Sequence, residues 1–237
     1  MQSLPNTAFY DGSFNGFLTL LYLHGFEGRP IEQIQRVPKE QKALFIEYNA
    51  IGPDLGKAQL VWEALRSKNY SALKTVYFAF LSEHSGMDQV LFQYALKTLG
   101  KLPLSFELDE DLFSKIEKLA KMVEREKRSL ELQLHVTPHD EGPSLEIINP
   151  EYNILPLISR YFRTRYKGFD WIIYDVKRNY GIHQQNESVS FIVLEPEVLN
   201  VSFSGVTNAE KKTVNSLEHM PFIRGQETIN TLNQAVA

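Results

Sequence analysis

Apolar residues recur along this chain first at mixed spacing, then at helical spacing through the middle, and at alternate positions late in the chain. Thr7 to Tyr10 reads as a short strand entering a turn at Asp11-Gly12. Phe14, Phe17, Leu18, Leu20 and Leu21 then mark an apolar helix that ends near Gly25, with Ser13 as its natural cap. Residues 27 to 42 mix charged and polar positions with Pro30 and Pro38 and read as a loop, followed by a second strand at Leu44 to Tyr48. From Asp54 to Leu99 the period is helical, with Ala58, Val61, Trp62 and Leu65, then Leu73, Val76, Tyr77, Phe80 and Leu81, then Val90, Leu91, Tyr94 and Ala95. A further helix over 110–130 buries Leu112, Ile116, Leu119, Ala120 and Val123 and exposes Lys and Glu. The period then falls to two. Leu132, Leu134 and Val136 predict a strand, paired with Leu145 and Ile147 across a turn at Asp140-Glu141-Gly142.

The stretch from Asn153 to His183 packs most into one unit. Asn153 caps a helix with Pro156 in its first turn; Ile154, Leu157, Ile158 and Tyr161 give it an apolar face, and Arg160, Arg163 and Lys167 a basic row. Gly168 ends it, and Trp171 to Tyr174 and Tyr180 to His183 form a ribbon about polar Lys177, Arg178 and Asn179. Val189, Phe191 and Val193 add one more alternating strand. Helices in the middle and strands mainly late predict an α+β fold whose sheet is largely antiparallel. The expected organisation is one domain over 1–200, helical over about 54–130 and sheet-rich over about 131–200. A loosely held arm follows over 201–237, with a short helix near Asn208 to Leu217.

Composition narrows the function classes. A net charge of -4 gives no general positive field, so any contact with nucleic acid has to come from a local patch. With no cysteine the chain offers no disulfide, no thiolate nucleophile and no iron–sulfur ligation. The apolar run Phe17 to Leu23 is too short to span a bilayer, and the expected location is cytoplasmic. No G-x-S-x-G, phosphate-cradling Gly loop or dinucleotide fingerprint occurs, so no cofactor is expected.

Candidate chemistry falls at four places. Asp11, Gly12 and Ser13 join a strand to a helix N-terminus, whose N–H groups favour an anion; capping by Asp11 and Ser13 explains the same residues. Arg160, Arg163, Arg165, Lys167, Lys177 and Arg178, interleaved with Tyr161, Tyr166 and Tyr180, make a phosphate track with stacking platforms, though Arg stems also cover apolar surface. Asp175 and Lys177, with Asp170 upstream, faintly match the carboxylate-x-Lys end of metal-dependent nucleases, yet hairpin turns collect the same residues. His135 and His139 flank Pro138 without metal-ligand spacing, and no metal site or catalytic residue is assigned.

Tyr10-Asp11-Gly12-Ser13-Phe14, Ala58 with Val61-Trp62 and Leu65, Ala79-Phe80-Leu81-Ser82-Glu83, Asn153-Ile154-Leu155-Pro156-Leu157 and Trp171-Ile172-Ile173-Tyr174-Asp175 occur in the order found in a family of DNA metabolism proteins. The chain resembles that family, a domain of unknown function, over about residues 8–183. The resemblance implies a partner of the radical SAM class, and a setting in DNA repair, since some members are fused to a uracil-DNA glycosylase domain. Two departures stand out. Arg125-Glu126-Lys127-Arg128 and His135-Val136 replace the family's His and Arg-Phe, and the end of the chain keeps only Met220-Pro221 of a basic, aromatic segment. The expected function is a DNA metabolism accessory that meets phosphates through a local basic face. A DNA-acting enzyme, and a protein that binds only its radical SAM partner, remain the alternatives.

Overall fold

The computed structural model describes residues 6–37, 50–103, 109–137, 142–186 and 188–194. The expected strand at 44–48, the His139 turn and the arm over 201–237 lie outside them. The described residues divide into two compact units, the first running to Met122 and the second beginning at Val123.

In the first unit, β1 (Thr7–Tyr10) leads into α1 (Phe14–Gly25), which returns to β2 (Gln33–Arg36) lying parallel to β1. This is a β-α-β crossover. Ser13 is the N-cap as expected, its hydroxyl accepting from the Gly16 amide. Within the 27–42 stretch expected as loop, β2 is an addition. Its QIQR sequence has no apolar alternation to announce it, and it forms because β1 offers a ladder and Gln89 closes its outer edge. The Gln89 carboxamide accepts from Ile34 N at 2.9 Å and donates to Glu32 O at 3.1 Å, so an exposed edge is blunted by a side chain that imitates backbone. On the other side of β1, Tyr10 forms a parallel bridge to Ile51.

Three helices follow, α2 (Leu55–Lys68), α3 (Tyr70–Leu81) and α4 (Asp88–Leu99), where the helical period placed them. Asp54 and Asn69 cap the first two through their side-chain oxygens. Their apolar faces bury a ring cluster in which Phe14 lies 4.8 Å from Tyr77 and 5.0 Å from Phe80, with Phe17, Trp62 and Phe92 around it. A charged group lies against these rings. The Arg36 guanidinium meets Asp88 through two bonds of 2.6 and 2.5 Å, donates to the Tyr10 hydroxyl at 3.0 Å and lies 4.6 Å from the Phe80 ring centre. Burial pushes the Tyr10 phenol well above its ordinary range.

The helix α5 (Glu110–Gln133) runs three residues past its expected end, so Leu132 is helical and the expected strand over Leu132, Leu134 and Val136 does not form. Alternating apolar residues over so few positions also fit the last turn of a helix. Ion pairs four residues apart, Arg128 with Glu124 at 2.6 Å and Lys127 with Glu131 at 2.8 Å, favour the helix.

The second unit carries a four-stranded sheet in the order β3 (Ser144–Ile148), β4 (Trp171–Asp175), β5 (Tyr180–Gln185), β6 (Ser188–Ile192). Two of its three pairings are antiparallel, as expected. The third is not. Instead of joining a hairpin before it, β3 lies parallel to β4, the connection being made by α6 (Leu155–Arg165). The fold is α+β.

Candidate nucleic-acid interface

The helix α6 is positioned by its buried face. Leu155, Ile158, Ser159 and Phe162 fall at i, i+3, i+4 and i+7 and are buried with Leu157, while Tyr161 is only half-buried. Phe162 meets the buried Trp171 of β4 edge-on at 6.1 Å. Asn153 does not cap the helix as expected. Ile154 occupies the cap position, without a side-chain bond, and the Asn153 side-chain oxygen Oδ1 accepts instead from the Tyr180 hydroxyl of β5.

The remaining helix surface and the turn after it are rich in cations. Between Leu155 and Phe169 there are four cations, Arg160, Arg163, Arg165 and Lys167, and no carboxylate. Arg160 and Arg163 are half-buried on the helix, and Arg165 is exposed at its last residue. The helix ends before Lys167, so this cation stands exposed in the turn rather than in the expected helical row. Arg165 is held between two tyrosines. It donates to the Tyr161 hydroxyl at 3.1 Å and the Tyr166 hydroxyl at 3.4 Å, its centre 5.9 and 5.7 Å from the two rings. Tyr166 in turn stacks on Phe162 at 5.9 Å. Arg163 and Arg165 also favour the negative end of the helix.

Lys177 and Arg178 do different work. In the turn closing β4 to β5, the buried Asp175 carboxylate accepts from Lys177 N at 2.9 Å, Arg178 N at 3.2 Å and the Arg178 guanidinium at 2.9 Å. Arg178 further donates to Pro150 O at 3.2 Å and Glu151 O at 2.9 Å, and the Lys177 ammonium to Glu151 O at 2.9 Å. The same loop gives its own N–H groups to α5, Glu151 N and Tyr152 N donating to the Glu126 carboxylate at 2.7 and 2.8 Å. The loop from β3 to α6 is therefore gripped on both sides. Asp175, the carboxylate of the nuclease alternative, is fully buried and held by these donors.

Asp170 faces the other way. Its carboxylate lies 2.6 Å from His183 Nε2 and accepts from the Gln185 amide at 3.1 Å. Counting back from the Asp175–Tyr180 pair places Gln185 opposite Asp170 and His183 diagonal to it, a signal the hairpin already contained. Glu126, Arg36 and Asp88 carried no such signal, because their partners lie far away in sequence.

At the expected anion site, Asp11 Oδ1 accepts from Ser13 N at 3.0 Å and from the Ser13 hydroxyl at 2.8 Å. The carboxylate thus engages donors at the turn that an incoming anion would use. Gly12, at φ 84, packs against the Arg36 stem, 3.6 Å from where its Cβ would stand. Among the described residues no group of three or more His, Asp or Glu side chains is placed to hold a metal ion, and no helix is long and apolar enough to cross a membrane.

The family model described as a domain of unknown function, DUF4130, matches residues 85–222, more than half of the chain. No curated protein and no solved structure matches.

Proposed function

Because this chain belongs to the DUF4130 family, whose description carries no activity, we propose a function from the geometry: an accessory protein of DNA metabolism that grips nucleic-acid phosphates through α6. The observation that supports it most is the run of four cations without a carboxylate on α6 and its turn, in a chain whose net charge is -4. Excess acid elsewhere makes this concentration of positive charge the more telling. Tyr161 and Tyr166 beside Arg165 supply ring surface of the kind on which unpaired bases stack, so single-stranded DNA is the preferred ligand. Lys177 and Arg178 are left out of the contact set, since their donors serve the loop at Pro150 and Glu151. The resemblance to DNA metabolism proteins adds a radical SAM protein as the partner to be assisted.

Fluorescence anisotropy with a labelled single strand tests this. At low salt the wild-type chain binds, Arg160→Ala with Arg163→Ala loses about tenfold or more, and Lys177→Ala binds as wild type. Equal binding by the double variant removes α6 from the interface. A chain that ignores DNA at low salt but is retained by a radical SAM protein is an interaction partner only.

A further inference from the structure

One face of the second unit's sheet is crossed by a buried row that carries polar groups. Ser144 of β3, Trp171 of β4 and Gln184 of β5 stand opposite one another in register, and their exposures are 1%, 0% and 1%. Such partners across a sheet have side chains about 5 Å apart on the same face. Two of the atoms in this row lack a hydrogen-bond partner, the indole Nε1 of Trp171 and the Oε1 of Gln184.

Both side chains are fixed from outside the row. Gln184 donates its amide N–H groups to Tyr166 O at 3.1 Å and Phe169 O at 3.4 Å, which sets the direction of Oε1 and rules out turning the amide around. The Trp171 ring is set edge-on to Phe162. A donor and an acceptor, each deprived of water, therefore stand on neighbouring strands. Leaving both unmet in a low-dielectric interior is costly, and natural interiors nearly always meet such atoms.

We propose that Trp171 and Gln184 hold one small hydroxylic group between them, an internal water, as a built binding site of this unit. A single oxygen satisfies both, since it accepts from the indole N–H through a lone pair and donates one O–H to Gln184 Oε1. Its second O–H and remaining lone pair are then available to the Ser144 hydroxyl. That gives the two to four polar partners a buried water requires. The water joins β4 to β5 beneath the turn that carries Lys167, because Gln184 also holds the carbonyls of that turn. It stands whether or not α6 meets nucleic acid.

A crystal structure of the full chain, at a resolution that shows ordered water, gives the first test. An oxygen within hydrogen-bond reach of both Trp171 Nε1 and Gln184 Oε1 is expected; a direct Nε1 to Oε1 bond, or no density between them, overturns the proposal. In solution the Trp171 indole proton should show a cross-peak to a long-lived water, and Gln184→Met, which removes the acceptor oxygen, should weaken or abolish it. An indole proton without that cross-peak overturns the proposal as well.

Discussion

Replacing Arg178 by Ala perturbs the second unit at a heavily bonded side chain. The substitution leaves Asp175, at 0% exposure, without its ion-pair partner, and strips donors from Pro150 O and Glu151 O. The Arg178 side chain is itself only 7% exposed, so little solvent screening applies. Removing one partner of a buried pair costs about 3–5 kcal/mol, against at most about 1 kcal/mol for an exposed one. For a chain of this length that corresponds to a fall in Tm of about 6–20 °C. Urea denaturation followed by circular dichroism measures the difference. Arg178→Lys should recover only part of it, since an ammonium cannot reproduce the forked set of donors. Adding Asp175→Asn to Arg178→Ala should cost less than the sum of the two changes, because the buried charge disappears with its partner. A loss under about 0.5 kcal/mol for Arg178→Ala, of the size seen at unremarkable surface positions, would refute the clamp and return Arg178 to the set of solvent-facing cations.

Gly16→Ala should destabilise by about 1–3 kcal/mol, although alanine ordinarily strengthens a helix, because the new Cβ would lie 2.2 Å from Asp11 Oδ1; a rise in Tm would show that Asp11 does not hold the turn. Gly181→Ala should likewise lower stability, its Cβ meeting Tyr174 Cδ2 at 2.7 Å and Ile173 O at 2.9 Å, and unchanged thermal melting would contradict that packing. Burial raises the Tyr10 and Tyr77 phenols above the ordinary value of about 10, so the folded state binds more protons than the unfolded one above that pH. Stability should therefore be unaffected by these groups below pH about 10 and fall as pH rises further, a trend that Tyr77→Phe weakens in denaturation at successive pH values.

Much of the architecture was legible because it rests on local periodicity. The helices from Asp54 to Leu99 repeat apolar residues over three turns each, and the hairpin of β4 and β5 is written in its own turn residues. What escaped depends on distant partners. A four-residue polar strand such as β2 exists only by its pairing with β1 and the Gln89 side chain, and nothing within QIQR says so. The parallel register of β3 on β4 follows from the crossover through α6, whereas a turn-like Asp-Glu-Gly before Ser144 suggested a hairpin. The basic segment was visible as composition. Its division into a face on α6 and a clamp at Lys177 and Arg178 was not, because the carbonyls that claim the latter pair lie 26 to 28 residues upstream.

The salt dependence of single-strand binding probes the α6 face most directly. Four phosphate contacts give log K against log salt a slope of about -2.8, and removing Arg160 and Arg163 should bring it to about -1.4, with Lys177→Ala leaving it at the wild-type value. A slope that the Arg160 and Arg163 substitutions leave untouched, while Lys177→Ala reduces it, would place any nucleic acid at the β4–β5 turn and contradict the face described here.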